Sequence, residues 1–324
     1  MAFHSGDSLA RCLRSLRDGE PEAEVIVVDN GGTDPAAVEG LGRLVEPGRN
    51  LGYGGGCNRG AAEAGGDVVV FLNPDTVIEA GALSALARTL EDRSIGIAMA
   101  RLRLLDRPEL LNSAGTVMHV TGLSWVGRYG ESAEGLRDLE DIAGPSGAAM
   151  AIRRDLFEQL GGFTEELFMY FEDTELGWRT HLQDLRVVVD PGADVYHDYE
   201  FGRHGTKLAL LERNREIFVL TAYSLRLLLV LAPVLVATEV GMFVVATKQR
   251  WLGGKVGGWW WLARHAAWVR RHRGDTQRLR RIPDRELTRF LTPVIDPAML
   301  QVPRVASIGN GLIAAYWRLA RRAL

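Results

Sequence analysis

"DVVVFLNPDTVI", residues 67–78, is a run of β-branched and aromatic residues that stops on an amide, a proline and a carboxylate. Residues 67–72 have the length and composition of a strand covered on both faces, and such strands belong to sheets packed between helices. The surrounding sequence supplies those helices. "LARCLRSL" (9–16) is amphipathic, "EVIVVDN" (24–30) is a second strand ending in polar residues, and "GCNRGAAEA" (56–64) is a small-residue helix. "AGALSALARTLED" (80–92) is helical, "SGAAMAIRRDLFEQLGGF" (146–163) reads as loop, strand and helix, and "LRVVVDPGADVYH" (185–197) holds one or two strands. Apolar strands separated by helices predict an α/β layer fold with a mostly parallel sheet. Ligands of such folds gather beyond the carboxyl ends of the strands, where Asp29, Asn30, Asn73 and Asp75 fall.

Asn73-Pro74-Asp75 has two readings. Pro fixes φ while Asn and Asp bond their own backbone, so the triplet serves as a turn. Carbonyl and carboxylate oxygens are equally the ligands of a hard divalent cation.

The chain has 324 residues, enough for two domains or for one domain with an appendage. A formal charge of −3 gives no general case for a polyanionic partner. Two cysteines, Cys12 and Cys57, are too few for a disulfide framework. "MAFHSGDSL" (1–9) shows no apolar stretch after a basic start, so no secretory signal is expected.

Three further polar clusters carry chemistry. "VDNGGTD" (28–34) sets Asp29, Asn30 and Asp34 just after a strand, able to accept hydrogen bonds from a base or ribose or to shape a turn. "NLGYGGGCNRG" (50–60) has five glycines between and beside Asn50 and Asn58, which lets backbone approach a phosphate or sugar; its spacing is not that of a P-loop. "ELFMYFEDTELGWR" (166–179) places Glu172, Asp173 and Glu175 after an aromatic run. Paired carboxylates in apolar surroundings suit a base with a raised pKa, and acids in a first helical turn also cap it.

These stretches, with "VYHDYEFGRHG" (195–205), stand in the order and approximate spacing of the family 2 glycosyltransferases over residues 2–215. The chain resembles in particular the bacterial branch with rhamnosyltransferases of cell-envelope polysaccharide assembly. The resemblance implies a GT-A nucleotide-sugar-binding domain and inverting transfer from a nucleotide diphosphate sugar. It implies that Asp29 and Asn30 hold the donor nucleoside, with Asn50, Gly52, Asn58 and Asn73 also on the donor side. Asp75 would bind Mg²⁺ or Mn²⁺, His197 would complete the coordination, with His204 as a competing choice, and Asp173 of the Glu172-Asp173 pair would be the general base. Three departures accompany it. Asn73 stands where many members carry Asp, His4 replaces an expected Asn, and the chain begins almost on the loop after the family's first strand, so that strand is expected to be truncated. A catalytically silent nucleotide-sugar-binding scaffold at the membrane is the alternative these departures keep open.

From Lys207 the character changes, predicting a domain at 1–206 and a helical region at 207–324. Arg226, Pro233 and Glu239 interrupt the apolar run, so helices lying in a membrane interface are expected in preference to a span. Trp251, Trp259, Trp260, Trp261 and Trp268 would sit at headgroup level, with Arg264, Arg270, Arg271, Arg273, Arg278, Arg280 and Arg281 facing anionic lipid. Packing on the catalytic core or on a second copy would use the same apolar faces, so an oligomer is possible. Clustered tryptophans on apolar helices argue against nucleic acid. Membrane apposition points to a lipid-linked saccharide acceptor and to the cytoplasmic face of the cell membrane. Residues 112–131 are expected to form the acceptor loop, with His119 as a surface or packing residue.

Overall fold

The computed structural model describes residues 1–198, 205–296 and 309–324. The chain divides into two compact units. The first comprises Met1–Thr116, Val126–Thr180 and Leu185–Glu200; the second comprises Val117–Trp125, His181–Asp184 and Phe201–Leu324. The change of character near residue 207 is thus close to the main division, and two short inserts join the later unit.

In the first unit, α1 (Gly6–Gly19) buries Leu9, Cys12, Leu13 and Leu16, a spacing of three and four that makes one helical face. β1 (Ile26–Val28) pairs in parallel with β2 (Arg43–Val45). The small-residue helix α2 (Gly52–Ala61) follows. The main sheet runs β3 (Val68–Leu72), β10 (Ala149–Arg153), β5 (Ile95–Leu104), β11 (Arg186–His197), β4 (Thr76–Ile78), with β6 (Leu111–Ser113) on β5 and β9 (Glu140–Asp141) on β11. Helices α3 (Ala82–Thr89), α4 (Arg154–Leu160) and α5 (Glu172–Leu182) complete it.

The α/β layer fold is as expected, but its strands are mixed in direction. β5 and β11 are parallel, whereas β10 runs antiparallel to both β3 and β5, and β4 antiparallel to β11. The physical reason is that a strand covered on both faces has the same apolar composition in either direction, so residues 149–153 carry no mark of polarity.

Before α1, Ala2 alone pairs with the sheet. Its N–H donates to Val28 O at 2.8 Å and its carbonyl accepts from Asn30 N at 2.8 Å. Beyond it, β1 and β3 flank a cavity of about 440 Å³ bounded by apolar residues of α1 and by Gly56, Cys57, Gly60 and Ala61 of α2.

The second unit contains a small sheet, β12 (Leu291–Thr292), β7 (Thr116–His119) and β8 (Ser124–Val126), and a helical body: α6 (Gly205–Ala222), α7 (Leu225–Lys248), α8 (Leu252–Arg264), α9 (Ala266–Arg278) and a later helix, Asn310–Ala320. Ser224 caps α7, its Oγ accepting from Leu227 N at 2.9 Å. Lys255 of α8 is fully buried and donates to Glu212 at 2.5 Å, to Glu239 at 2.6 Å and to Glu216. Arg215 adds bonds to Glu212 and Glu239, so five charged groups tie α6, α7 and α8 together.

Several expected lipid-facing residues are used inside this unit. Trp251 is buried. Arg273 donates to the carbonyls of Leu220 and Tyr223, and Arg280 to that of Ala222. The last carbonyls of a helix lack intrahelical donors, and these guanidinium groups supply them for α6. Trp260 and Trp259 are exposed.

Candidate active site

Backbone geometry first fixes the loop that opens α5. Met169 N donates to Leu167 O at 2.7 Å across Phe168, whose φ of 64° and ψ of −57° make a γ-turn of the rare strained hand. Tyr170 and Phe171 follow at φ 70° and 76°, unusual for residues with a Cβ. Strain of this kind persists where surrounding contacts hold it. One such contact is with α2: Tyr53 N donates to Phe168 O at 2.6 Å. Gly52 permits it, having φ +75° and a hydrogen where a Cβ would lie 2.2 Å from Phe168 O.

This loop delivers Glu172 and Asp173. Asp173 accepts from Gly147 N at 2.8 Å through Oδ2 and from Thr174 N at 2.6 Å through Oδ1. Burial raises its pKa above the ordinary aspartate value, and those N–H bonds, which favour the charged form, limit the rise. Glu172 is buried, and its Oε2 has no hydrogen-bond partner among the described residues. Desolvation and then the neighbouring Asp173 push it well above the usual carboxylate range, which favours its neutral form. The pair therefore sets Asp173, whose two N–H donors favour its charged form, beside Glu172, whose burial favours the neutral one.

The antiparallel pairing of β3 and β10 brings Asp173 near the Asn-Pro-Asp turn. Asn73 N donates to Ala148 O at 2.9 Å, one residue from the Gly147 that holds Asp173. Two residues beyond Asn73, Asp75 faces His197, which β4 and β11 bring alongside by pairing Thr76 with His197. Asp75 Oδ1 lies 3.3 Å from His197 Nε2 and is buried with no hydrogen-bond partner among the described residues. Two ligand atoms bound at right angles to a cation at about 2.1 Å stand about 3 Å apart, so this carboxylate oxygen and imidazole nitrogen fit a divalent cation. Asn112 Oδ1 stands 3.0 Å from His197 Nδ1, and in the tautomer that donates Nδ1–H to it, Nε2 is the nitrogen able to bind a metal. Nothing in the sequence marks Asn112, which lies 85 positions from His197. His204 lies outside the described residues.

The expected donor residues divide into groups that shape the site and groups that line it. Asp29 Oδ1 accepts from Gly31 N at 2.8 Å and Thr33 N at 3.2 Å. Against desolvation, which raises its pKa, bonds from Thr33 and Gly31 hold it below the usual aspartate value. Asn30 is buried and donates to Gly52 O at 2.7 Å, and Asn50 accepts from Gly52 N at 2.8 Å, so both fix the loop before α2. Asn58 holds the backbone of Phe163 from both sides, donating at 2.9 Å and accepting at 2.8 Å. Trp178 and Arg179 are buried, and Arg179 binds Glu175 and the carbonyls of Leu160 and Gly162. His119 is buried in the second unit beside Thr121 at 2.7 Å, a packing residue. Phe168 is exposed, whereas Phe171 is core.

Residues 1–161 match the model of "Glycosyl transferase family 2". The N-acetylglucosaminyl-diphospho-decaprenol L-rhamnosyltransferase of Mycobacterium tuberculosis is 30% identical over a 258-residue alignment that covers 69% of this chain and 83% of that protein. The O-antigen biosynthesis protein RfbC of Myxococcus xanthus is 28% identical over 193 residues, 55% of this chain and 15% of that protein. The chain belongs to glycosyltransferase family 2. Two solved structures share its fold: GalNAc-T7 with UDP, GalNAc and Mn²⁺ (TM-score 0.55, 19% identity, 67% of this chain and 45% of that chain), and the Pyrobaculum calidifontis mannosyltransferase PcManGT with GDP-Man and Mn²⁺ (TM-score 0.51, 16% identity, 99% and 84%).

Proposed function

We propose that this glycosyltransferase moves a sugar, rhamnose in the first instance, from a nucleotide diphosphate donor to a hydroxyl of a lipid-linked saccharide, with inversion, at the cytoplasmic face of the cell membrane. The observation that carries the reaction is the Asp173 carboxylate, fixed by Gly147 and Thr174 one strand pairing away from Asp75 and His197. The donor and acceptor classes are supported by the decaprenol-linked rhamnosyltransferase, of which this chain covers 83%.

Asp173 takes the proton of the acceptor hydroxyl as its oxygen forms a bond to the anomeric carbon. The bond from that carbon to the diphosphate breaks on the opposite face, and the nucleotide diphosphate leaves with the electron pair. Asp75 and His197 would hold Mg²⁺ or Mn²⁺, which supplies positive charge against the departing diphosphate. Burial favours the neutral form of Glu172, which reduces the negative charge facing the donor. Asn73 removes a further negative charge from the same turn.

The test is transfer from a panel of uridine, guanosine and thymidine diphosphate sugars to extracted polyprenyl diphosphate saccharides, with and without Mn²⁺. Transfer from one donor that requires the cation and is lost in both Asp75→Ala and Asp173→Asn is expected. Donor binding without transfer to any acceptor identifies a silent scaffold instead.

A further inference from the structure

The helical unit carries a face that its own packing does not use. α7 buries only Leu227, Leu231, Val234 and Ala246. On the other side Leu225, Leu229, Val236, Val240 and Val244 are each at least 46% exposed. Their steps of four, seven, four and four keep them on one stripe of a helix with 3.6 residues per turn. The stripe extends sideways. Phe243 stacks on Trp259 of α8 at 6.1 Å, and Tyr316 donates to Val230 O at 2.5 Å, which sets the helix Asn310–Ala320 beside α7. Leu312 and Leu319 of that helix are 78% and 65% exposed. Contiguous apolar surface of this extent marks a contact with lipid or protein.

Charge separates those partners. The only acid of α7, Glu239, points inward to Lys255 and Arg215, and neither α8 nor Asn310–Ala320 contains an acidic residue. The exposed charges on these helices are basic: Arg226, Lys248, Arg264, Arg318 and Lys248's neighbour Arg250. An apolar stripe bordered by cations alone is complementary to an anionic lipid surface. α7 has 24 residues and the apolarity to cross a bilayer. Crossing, however, would carry the Glu212, Glu216, Glu239, Lys255 and Arg215 cluster with it, since that cluster binds the middle of α7 to α6 and α8. Ionised groups at mid-bilayer are costly.

We propose that α7 lies flat in one leaflet of an anionic bilayer, its exposed stripe in the acyl-chain boundary and Trp260 and the basic rim at the headgroups, without crossing. The docking does not depend on the transfer chemistry and is measured apart from it. The full chain is floated with phosphatidylcholine vesicles containing or lacking phosphatidylglycerol. Binding to the anionic vesicles at least tenfold tighter than to the neutral ones is expected. Val236→Glu with Val240→Glu should abolish it while leaving the melting temperature in detergent within a few degrees. Arg250→Gln and Arg264→Gln should each weaken it by roughly fivefold. Cysteines placed at Arg226 and Lys248, near the two ends of α7 and in the basic rim, should both react with an impermeant maleimide added to one side of sealed vesicles. Equal binding to both lipids, undiminished binding in the double glutamate variant, or labelling of the two cysteines from opposite sides each overturns the proposal. So does a second outcome in solution: a stable dimer that dissociates in the double variant while vesicle binding is unchanged.

Discussion

Replacing Asp173 by asparagine tests the acid pair most directly, because its environment separates catalysis from folding. Both carboxylate oxygens of Asp173 accept backbone N–H bonds, from Gly147 at 2.8 Å and Thr174 at 2.6 Å. An amide has one acceptor oxygen, so its NH₂ must face one of those donors, at a cost of about 1–3 kcal/mol. The amide also cannot take the hydroxyl proton, and losing a positioned base lowers turnover about 10²–10⁴-fold, or about 3–5 kcal/mol of barrier. Glu172→Gln is the companion. Burial favours the neutral form of Glu172, so the isosteric amide should leave turnover within about threefold by the same free-energy scale. The assay is initial-rate sugar transfer at saturating donor, with donor affinity by calorimetry and stability by urea unfolding. Donor affinity should be unchanged in both variants. In the wild type the rate should rise with pH as Asp173 loses its proton, with a midpoint above the ordinary aspartate value because burial raises its pKa. An Asp173→Asn enzyme within tenfold of wild type, or a Glu172→Gln enzyme as damaged as Asp173→Asn, refutes the assignment of the base.

Three other outcomes follow from particular contacts. Asn112→Leu removes the acceptor that orients His197, so Mn²⁺ affinity in the presence of a nucleoside diphosphate should fall about 10–100-fold, and Asn112→Asp, which keeps an acceptor oxygen, should retain it; unchanged calorimetric affinity in the leucine variant removes Asn112 from the metal's support. Lys255→Met leaves Glu212 and Glu239 to Arg215 and Glu216 to the Trp259 indole N–H, a broken buried network that costs about 3–5 kcal/mol; a loss under about 1 kcal/mol in denaturant titration means the cluster contributes little. Gly52→Ala places a Cβ 2.2 Å from Phe168 O at a φ of +75°, so the loop before α2 must shift and donor affinity should fall at least tenfold, which fluorescence titration with a nucleotide sugar measures.

Much of the site was legible because its parts are local. A buried strand ending at Asn73-Pro74-Asp75, a glycine-rich turn into α2 and an acid pair at the start of α5 each lie within a dozen residues, where propensity and turn chemistry act directly. The roles of Asn30 and Asn58 were less legible. Both stand among donor-loop residues, yet the tertiary structure spends their amides on the backbone of Gly52 and Phe163. The basic tail shows the same limit. Arg273 and Arg280 read like their exposed neighbours Arg270 and Arg271, and only the position of α6's last carbonyls draws two of the four inward.

The sequence by itself determined the α/β class, the family, the Asn-Pro-Asp turn, the acid pair and the change of character near residue 207, since each is written in composition or short-range spacing. Only the tertiary structure decided that β10 runs antiparallel to β3, which sets Gly147 and its bond to Asp173 beside Asn73. It also decided that β11 ends opposite Thr76, bringing His197 to Asp75 and Asn112 to His197. Strand direction and register depend on which edges meet across some 80 to 120 residues of chain, a global packing choice that a run of valines and isoleucines leaves undetermined.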